Sequence, residues 1–180
     1  MLRKESIPNA IVHFRLAMVP VVLVLISYEY LLAAGIVFAL ASLSDALDGY
    51  FARRWNLVND YGKLMDPLAD KLLVCSVMIL LTSMQWLPAW LIIVLIGREI
   101  AVTQVRSLAA AKGVVIQATW SSKWKTIIQM PALVAIVTFG MDSLYGEIGL
   151  YMLYASLVPS LIGAWEYTRA ALAPAQKGAE

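Results

Sequence analysis

Stretches free of Asp, Glu, Lys and Arg cover residues 16–28, 30–44, 72–97, 126–141 and 148–165 of this chain. A helix that crosses a bilayer needs about 20 residues, so the 72–97 stretch, interrupted at Pro88, divides into two helices that turn near Trp86–Pro88. The pattern predicts six spans, at 7–27, 31–52, 66–84, 87–109, 122–141 and 147–169. Short loops join them and no soluble domain is left over. The expected fold class is therefore an all-α integral membrane protein, with residues 1–180 forming a single six-helix membrane domain.

Composition agrees with the pattern. The chain is 61% hydrophobic and 14% charged, whereas soluble domains carry about a quarter charged residues. The placement of charge adds an orientation. With six spans both termini lie on one side, and that side holds Arg3, Lys4, Arg53, Arg54, Lys63, Lys112, Lys123, Arg169 and Lys177. The opposite turns carry Glu29, Asp142 and Glu147 and no Lys or Arg. The positive-inside rule then puts both termini in the cytoplasm. A signal peptide over the first residues is disfavoured, because Arg15 interrupts the apolar run.

Candidate chemistry is narrow. Cys75 and His13 are the single Cys and His, which excludes an intrachain disulfide and a His-based metal or Ser-His site. Carboxylates remain. The uncharged run 30–44 is too short to span, so the second helix must continue through Asp45 and Asp48. These acids, at i and i+3, point from nearly one face; Asp66 and Asp70 repeat the arrangement at i and i+4. Two consecutive antiparallel helices joined by about a dozen residues can bring all four to one depth. Clustered buried anions repel unless compensated, and a pair of hard divalent cations with oxygen ligands is the natural compensation. A helix-dipole role explains Asp66 alone. Gly49 and Gly62 would let a bulky ligand approach the backbone, and Arg53, one turn after Gly49, could hold a diphosphate.

Written out, Asp45-x2-Asp48-Gly49-x2-Ala52-Arg53-x8-Gly62-x3-Asp66-x3-Asp70 resembles the signature of the CDP-alcohol phosphotransferase family, with every defining position filled. The resemblance implies that family's fold, and a reaction in which a CDP-linked alcohol, usually CDP-diacylglycerol, donates its phosphatidyl group to an acceptor hydroxyl and releases CMP. It implies two Mg²⁺ or Mn²⁺ per active site, held by Asp45, Asp48, Asp66 and Asp70, with Asp70 also the general base. It implies a nucleotide site lined by Gly49, Ala52, Arg53 and Gly62, a homodimer, and a multi-pass location in a bacterial inner membrane with the active site facing the cytoplasm.

Further stretches are similar to family members whose acceptor is sn-glycerol 3-phosphate: Ile7-Pro8-Asn9 with Arg15, Asp66-Pro67-Leu68-Ala69-Asp70-Lys71, Gly97-Arg98-Glu99-Ile100, Arg106, and Ser122-Lys123-Trp124-Lys125-Thr126. Val12, Ser107 and Ser122 stand where Thr, Glu and Gly are usual in those members. Arg98 and Glu99 fall roughly 15 Å into the fourth helix and about 100° apart on its circumference. Charge at that depth is a candidate for function, although Arg98 paired with an acid to lock helix packing is the plainer alternative. Arg98, Arg106, Lys123 and Lys125 are the expected acceptor-phosphate residues. Family members that use phosphatidylglycerol as the acceptor are the nearest alternative. A membrane prenyltransferase and a divalent cation transporter are alternatives of other classes.

Overall fold

The computed structural model describes the backbone of residues 6–55, 60–111 and 119–172, and side chains at 15–43, 71–110 and 119–171. It contains α1 (Ser6–Ser27), α2 (Leu31–Trp55), α3 (Asp60–Ser83), α4 (Ala89–Ala111), α5 (Trp120–Phe139) and α6 (Leu144–Leu172), with no strand among the described residues. Five helices begin within three residues of their predicted starts. The exception is α3, which begins at Asp60 rather than 66, so that the expected dozen-residue connector shrinks to positions 56–59. Hydropathy marks where apolar residues begin, whereas helical hydrogen bonding continues past that point into polar sequence. Asp66 consequently lies six residues inside α3, beyond the first turn in which a helix dipole favours an acid.

The chain turns sharply between helices. After α1, Tyr30 N–H donates to Leu25 O (2.9 Å) and Glu29 N–H to Ile26 O (3.0 Å), with Glu29 at φ +61°. After α3, Trp86 N–H donates to Leu81 O and Gln85 N–H to Thr82 O, both at 3.0 Å, with Gln85 at φ +62°. Both are Schellman ends in which a residue other than Gly takes the left-handed position. Pro88 then receives the first helical hydrogen bonds of α4, from Leu91 and Ile92. Thr119 caps α5 by accepting from Ser122 N–H.

Helices α1, α2 and α3 meet through α1, α2 continues onto α5, and α6 packs on both α5 and α4, while α3 and α4 touch only lightly. The α5/α6 contact is the most extensive. It closes at Gly149, where a Cβ would lie 2.7 Å from Ala132 O and 2.8 Å from Ile136 Cγ1. Val22, Ile26, Phe38, Leu81, Leu133 and Leu153 form the middle of the core.

Polarity is arranged opposite to that of a soluble protein. Ile36, Leu40, Ile79, Ile93, Ile127 and Leu161 are exposed, while Arg15, Arg98, Lys125 and Gln129 are buried. A helix apolar on both faces belongs inside a larger protein or in lipid. Among the described residues, Leu144–Ala171 of α6, with mean hydropathy 1.5, is long and apolar enough to cross a membrane.

Candidate active site

The fourth helix carries charge into the interior because α6 receives it. Arg98 Nε donates to Ser160 O of α6 (2.9 Å), and Nη1 donates to Glu99 Oε2 (3.2 Å). The guanidinium fits because Gly163 faces it: a Cβ there would come within 2.8 Å of Nη2. Arg98 and Glu99 leave the helix in different directions, as their adjacency requires, but two long side chains are enough for their tips to meet.

Glu99 is a meeting point for three helices. Lys125, buried in the second turn of α5, donates to Glu99 Oε2. Lys71 of α3 lies with Nζ 3.7 Å from Glu99 Oε1. Lys71 also donates to Thr103 Oγ1, and Thr103 in turn donates to Glu99 O (2.7 Å). Among the described residues, three cations thus surround one carboxylate. A cavity of about 60 Å³ opens against this cluster, lined by the polar residues Lys71, Glu99, Lys125, Thr126 and Gln129 and by apolar neighbours that include Val74, Met78 and Leu95. Gln129 is itself tied back to Met78 Sδ, at 3.4 Å.

Of the four cations expected to converge on an acceptor phosphate, the structure brings Arg98 and Lys125 together, through Glu99. Arg106 and Lys123 are exposed and lie elsewhere. The Arg106 guanidinium sits 5.7 Å from the centre of the Tyr167 ring, and Lys123 Nζ sits 5.2 Å from that of Trp120. Tyr167 OH also accepts from Thr119 N–H (3.2 Å), which ties α6 to the start of α5.

Asp45 and Asp48, with Gly49, Ala52 and Arg53, lie on α2; Gly62, Asp66 and Asp70 lie on α3. Their side chains fall outside the described residues. The backbone is helical at all eight positions, so the acids stand at i, i+3 on α2 and at i, i+4 on α3. Four carboxylates offer only hard oxygen donors, which suits Mg²⁺ or Mn²⁺ and not a soft metal. Among the described residues, no group of three or more His, Cys, Asp or Glu could hold a metal.

A family model for CDP-alcohol phosphatidyltransferase matches residues 5–162. The chain belongs to this family. It is 34% identical over 179 residues to a CDP-diacylglycerol–glycerol-3-phosphate 3-phosphatidyltransferase of Bacillus subtilis (strain 168), covering 90% of this chain and 93% of that protein. A protein of the same name from Rickettsia bellii (strain RML369-C) is 33% identical over 172 residues, covering 92% and 95%. A probable phosphatidylglycerophosphate synthase of Mycobacterium tuberculosis (strain CDC 1551 / Oshkosh) is 34% identical over 137 residues, covering 73% and 65%.

Within a CDP-alcohol phosphatidyltransferase, the position of the Glu99 cluster is informative. Lys71 follows the last aspartate of the signature directly in sequence, so the cluster is joined to that signature by the backbone of α3. Lys71, Glu99, Thr103 and Gln129 were absent from the expected site residues, although Lys71 and Glu99 stand in the stretches that resemble glycerol-phosphate-using members. Lys71 had a readable signal, as a cation adjoining an acidic motif. Thr103 and Gln129 had none, because an uncharged polar residue in an apolar helix becomes informative only when its neighbours are known.

Proposed function

We propose that this chain transfers the phosphatidyl group of CDP-diacylglycerol to sn-glycerol 3-phosphate, giving phosphatidylglycerophosphate and CMP. The observation that carries the acceptor is the cleft beside Glu99, where three cations against one carboxylate offer the positive charge that a phosphate-bearing alcohol requires and an uncharged alcohol does not. The names of the Bacillus and Rickettsia relatives support the same substrates.

The chemistry asked of the residues is a direct displacement. Asp70 accepts the proton of the acceptor hydroxyl, whose oxygen bonds to the phosphorus bearing the diacylglycerol; the bond from that phosphorus to the CMP oxygen breaks, and CMP leaves with the electron pair. Gly49, Ala52 and Gly62 keep side-chain bulk away from the nucleotide, and Arg53 pairs with the diphosphate. Asp45, Asp48, Asp66 and Asp70 would hold two divalent cations, which when bound neutralise diphosphate charge and ease departure of CMP. Lys125 and Arg98 lie on the acceptor's side.

This reading includes six spans with both termini and the active site toward the cytoplasm. Apolar side chains exposed on the outside and cations buried within support a lipid surround, and the one-sided distribution of Lys and Arg supports the orientation. A substrate with acyl tails in the bilayer and a nucleotide in water requires a site at that boundary. Pairing of two copies completes the reading, and the mass of the purified protein in detergent tests it.

The deciding assay supplies purified protein with CDP-diacylglycerol and one acceptor at a time. CMP release with sn-glycerol 3-phosphate, abolished by EDTA and restored by excess Mg²⁺, is the expected result. Turnover only with phosphatidylglycerol would reassign the acceptor, and no CMP release with any alcohol would refute the transferase reading of this chain.

A further inference from the structure

Two ammonium groups at a half-buried cavity and a guanidinium behind them do not gather unless something holds them there, and the only acid among the described residues of the cluster is Glu99. Its two oxygens divide the work. Oε2 takes Lys125 and Arg98, from α5 and from its own helix, while Oε1 faces Lys71 on α3. Arg98 is further anchored by Ser160 O and is the most deeply buried of the three, its side chain 5% exposed against 29% for Lys71. Lys71 and Lys125 are the two cations that line the cavity. They are also the two that would repel each other into solvent if Glu99 lost its charge, since like charges in a partly desolvated space are destabilising.

The same carboxylate links helices that otherwise touch lightly. Among the described residues contacts between α3 and α4 are few, and the Lys71–Glu99 pair with the Lys71–Thr103 hydrogen bond crosses that contact. Lys71 adjoins Asp70, so whatever fixes Lys71 also fixes the adjacent backbone of α3.

We propose that Glu99 is a positioning residue for acceptor recognition, its carboxylate holding Lys71 and Lys125 apart at the cavity wall as two prongs for the acceptor's phosphate dianion. This rests on the transferase reading above and extends it to two residues, Glu99 and Lys71, with no earlier role. The charge count sets the specificity. Among the described residues of the cluster three positive charges face one negative, an excess that a phosphate monoester dianion meets more fully than a phosphodiester monoanion. The site therefore favours sn-glycerol 3-phosphate over an acceptor such as phosphatidylglycerol.

The test is steady-state kinetics of the full-length enzyme, varying sn-glycerol 3-phosphate and CDP-diacylglycerol separately. Glu99→Gln keeps the shape and removes the charge. It is expected to raise the acceptor KM about tenfold, with the donor KM and the kcat at saturating acceptor within about twofold of wild type. Glu99→Asp, which keeps the charge, should recover most of that loss. In the Glu99→Gln background, Lys71→Met should add less than it does in the wild type, because Lys71 then keeps only its hydrogen bond to Thr103. An acceptor KM unchanged in Glu99→Gln, or equal changes in both KM values, overturns the proposal. Should Glu99→Gln not fold, Lys71→Met alone must show the same selective rise in acceptor KM, and its absence is equally fatal. Wild-type enzyme that releases no CMP with sn-glycerol 3-phosphate would overturn the transferase reading itself; normal wild-type turnover with an indifferent Glu99→Gln overturns only this inference.

Discussion

Gly149→Ala tests the close approach of α6 to α5, and Gly97→Ala is its control. At Gly149 an added Cβ would lie 2.7 Å from Ala132 O and 2.8 Å from Ile136 Cγ1. A carbon normally stays about 3.3 Å or more from a carbonyl oxygen, so α5 and α6 must part by roughly 0.6 Å. Neither neighbour yields easily: one is helix backbone, the other a β-branched side chain with one strongly preferred rotamer in a helix. Overpacking of this kind costs about 1–3 kcal/mol, and the upper end applies where two contacts are violated together. Replacing Gly by Ala within a helix returns about 1 kcal/mol. The net loss is about 2 kcal/mol, or roughly 4–8 °C in Tm for a chain of this length. At Gly97 a Cβ meets nothing within 4 Å; that variant keeps the propensity gain and should melt about 2–4 °C higher than wild type. Thermal unfolding of both in one detergent, followed by circular dichroism, gives the comparison. A Gly149→Ala protein as stable as Gly97→Ala would refute the close approach of α5 and α6.

Lys125→Ala should raise the acceptor KM about tenfold, in line with loss of a charged hydrogen bond, whereas Lys123→Ala, whose ammonium lies over Trp120 outside the cluster, should stay within about twofold of wild type; initial rates at varied acceptor separate the two. Asp70→Asn should lower kcat by about 10²–10⁴, the usual range for a lost general base, and leave donor binding measurable by calorimetry; near-normal turnover would remove Asp70 from that role. Gln85, at φ +62°, is in a conformation that costs an L-residue about 1–2 kcal/mol, so Gln85→Gly should raise the Tm slightly, and a fall would show that its side chain contributes more than the backbone strain.

The helices were legible because a bilayer-length constraint acts on stretches of sequence rather than on single residues. Uncharged runs interrupted at Pro88 were enough to predict six helices, and all but α3 begin within three residues of expectation. The start of α3 was missed because Asp60–Met65 is polar enough to look like a connector while still forming helix. The acidic signature was legible for a similar local reason: spacing along one helix sets which side chains share a face, so Asp45 with Asp48, and Asp66 with Asp70, could be paired without a fold.

The basic residues were not legible in the same way. Arg98, Arg106, Lys123 and Lys125 looked equivalent as cations near one end of the spans, but helix rotation separates them. Arg98 and Lys125 turn inward to Glu99, while Arg106 and Lys123 are exposed, the first over the buried ring of Tyr167 and the second over the exposed ring of Trp120. Lys71 joins the inward pair from α3, 28 residues before Glu99, and nothing in local spacing announces that meeting.

By itself the sequence determined the number of helices, their apolar exterior and the spacing of the signature aspartates, because each depends on interactions within one segment or between a segment and its solvent. Only the tertiary structure decided which cations share a carboxylate and where two helices come close enough to require Gly149. Those outcomes depend on the relative rotation and distance of α3, α4, α5 and α6, which arise when side chains from distant parts of the chain are packed against one another.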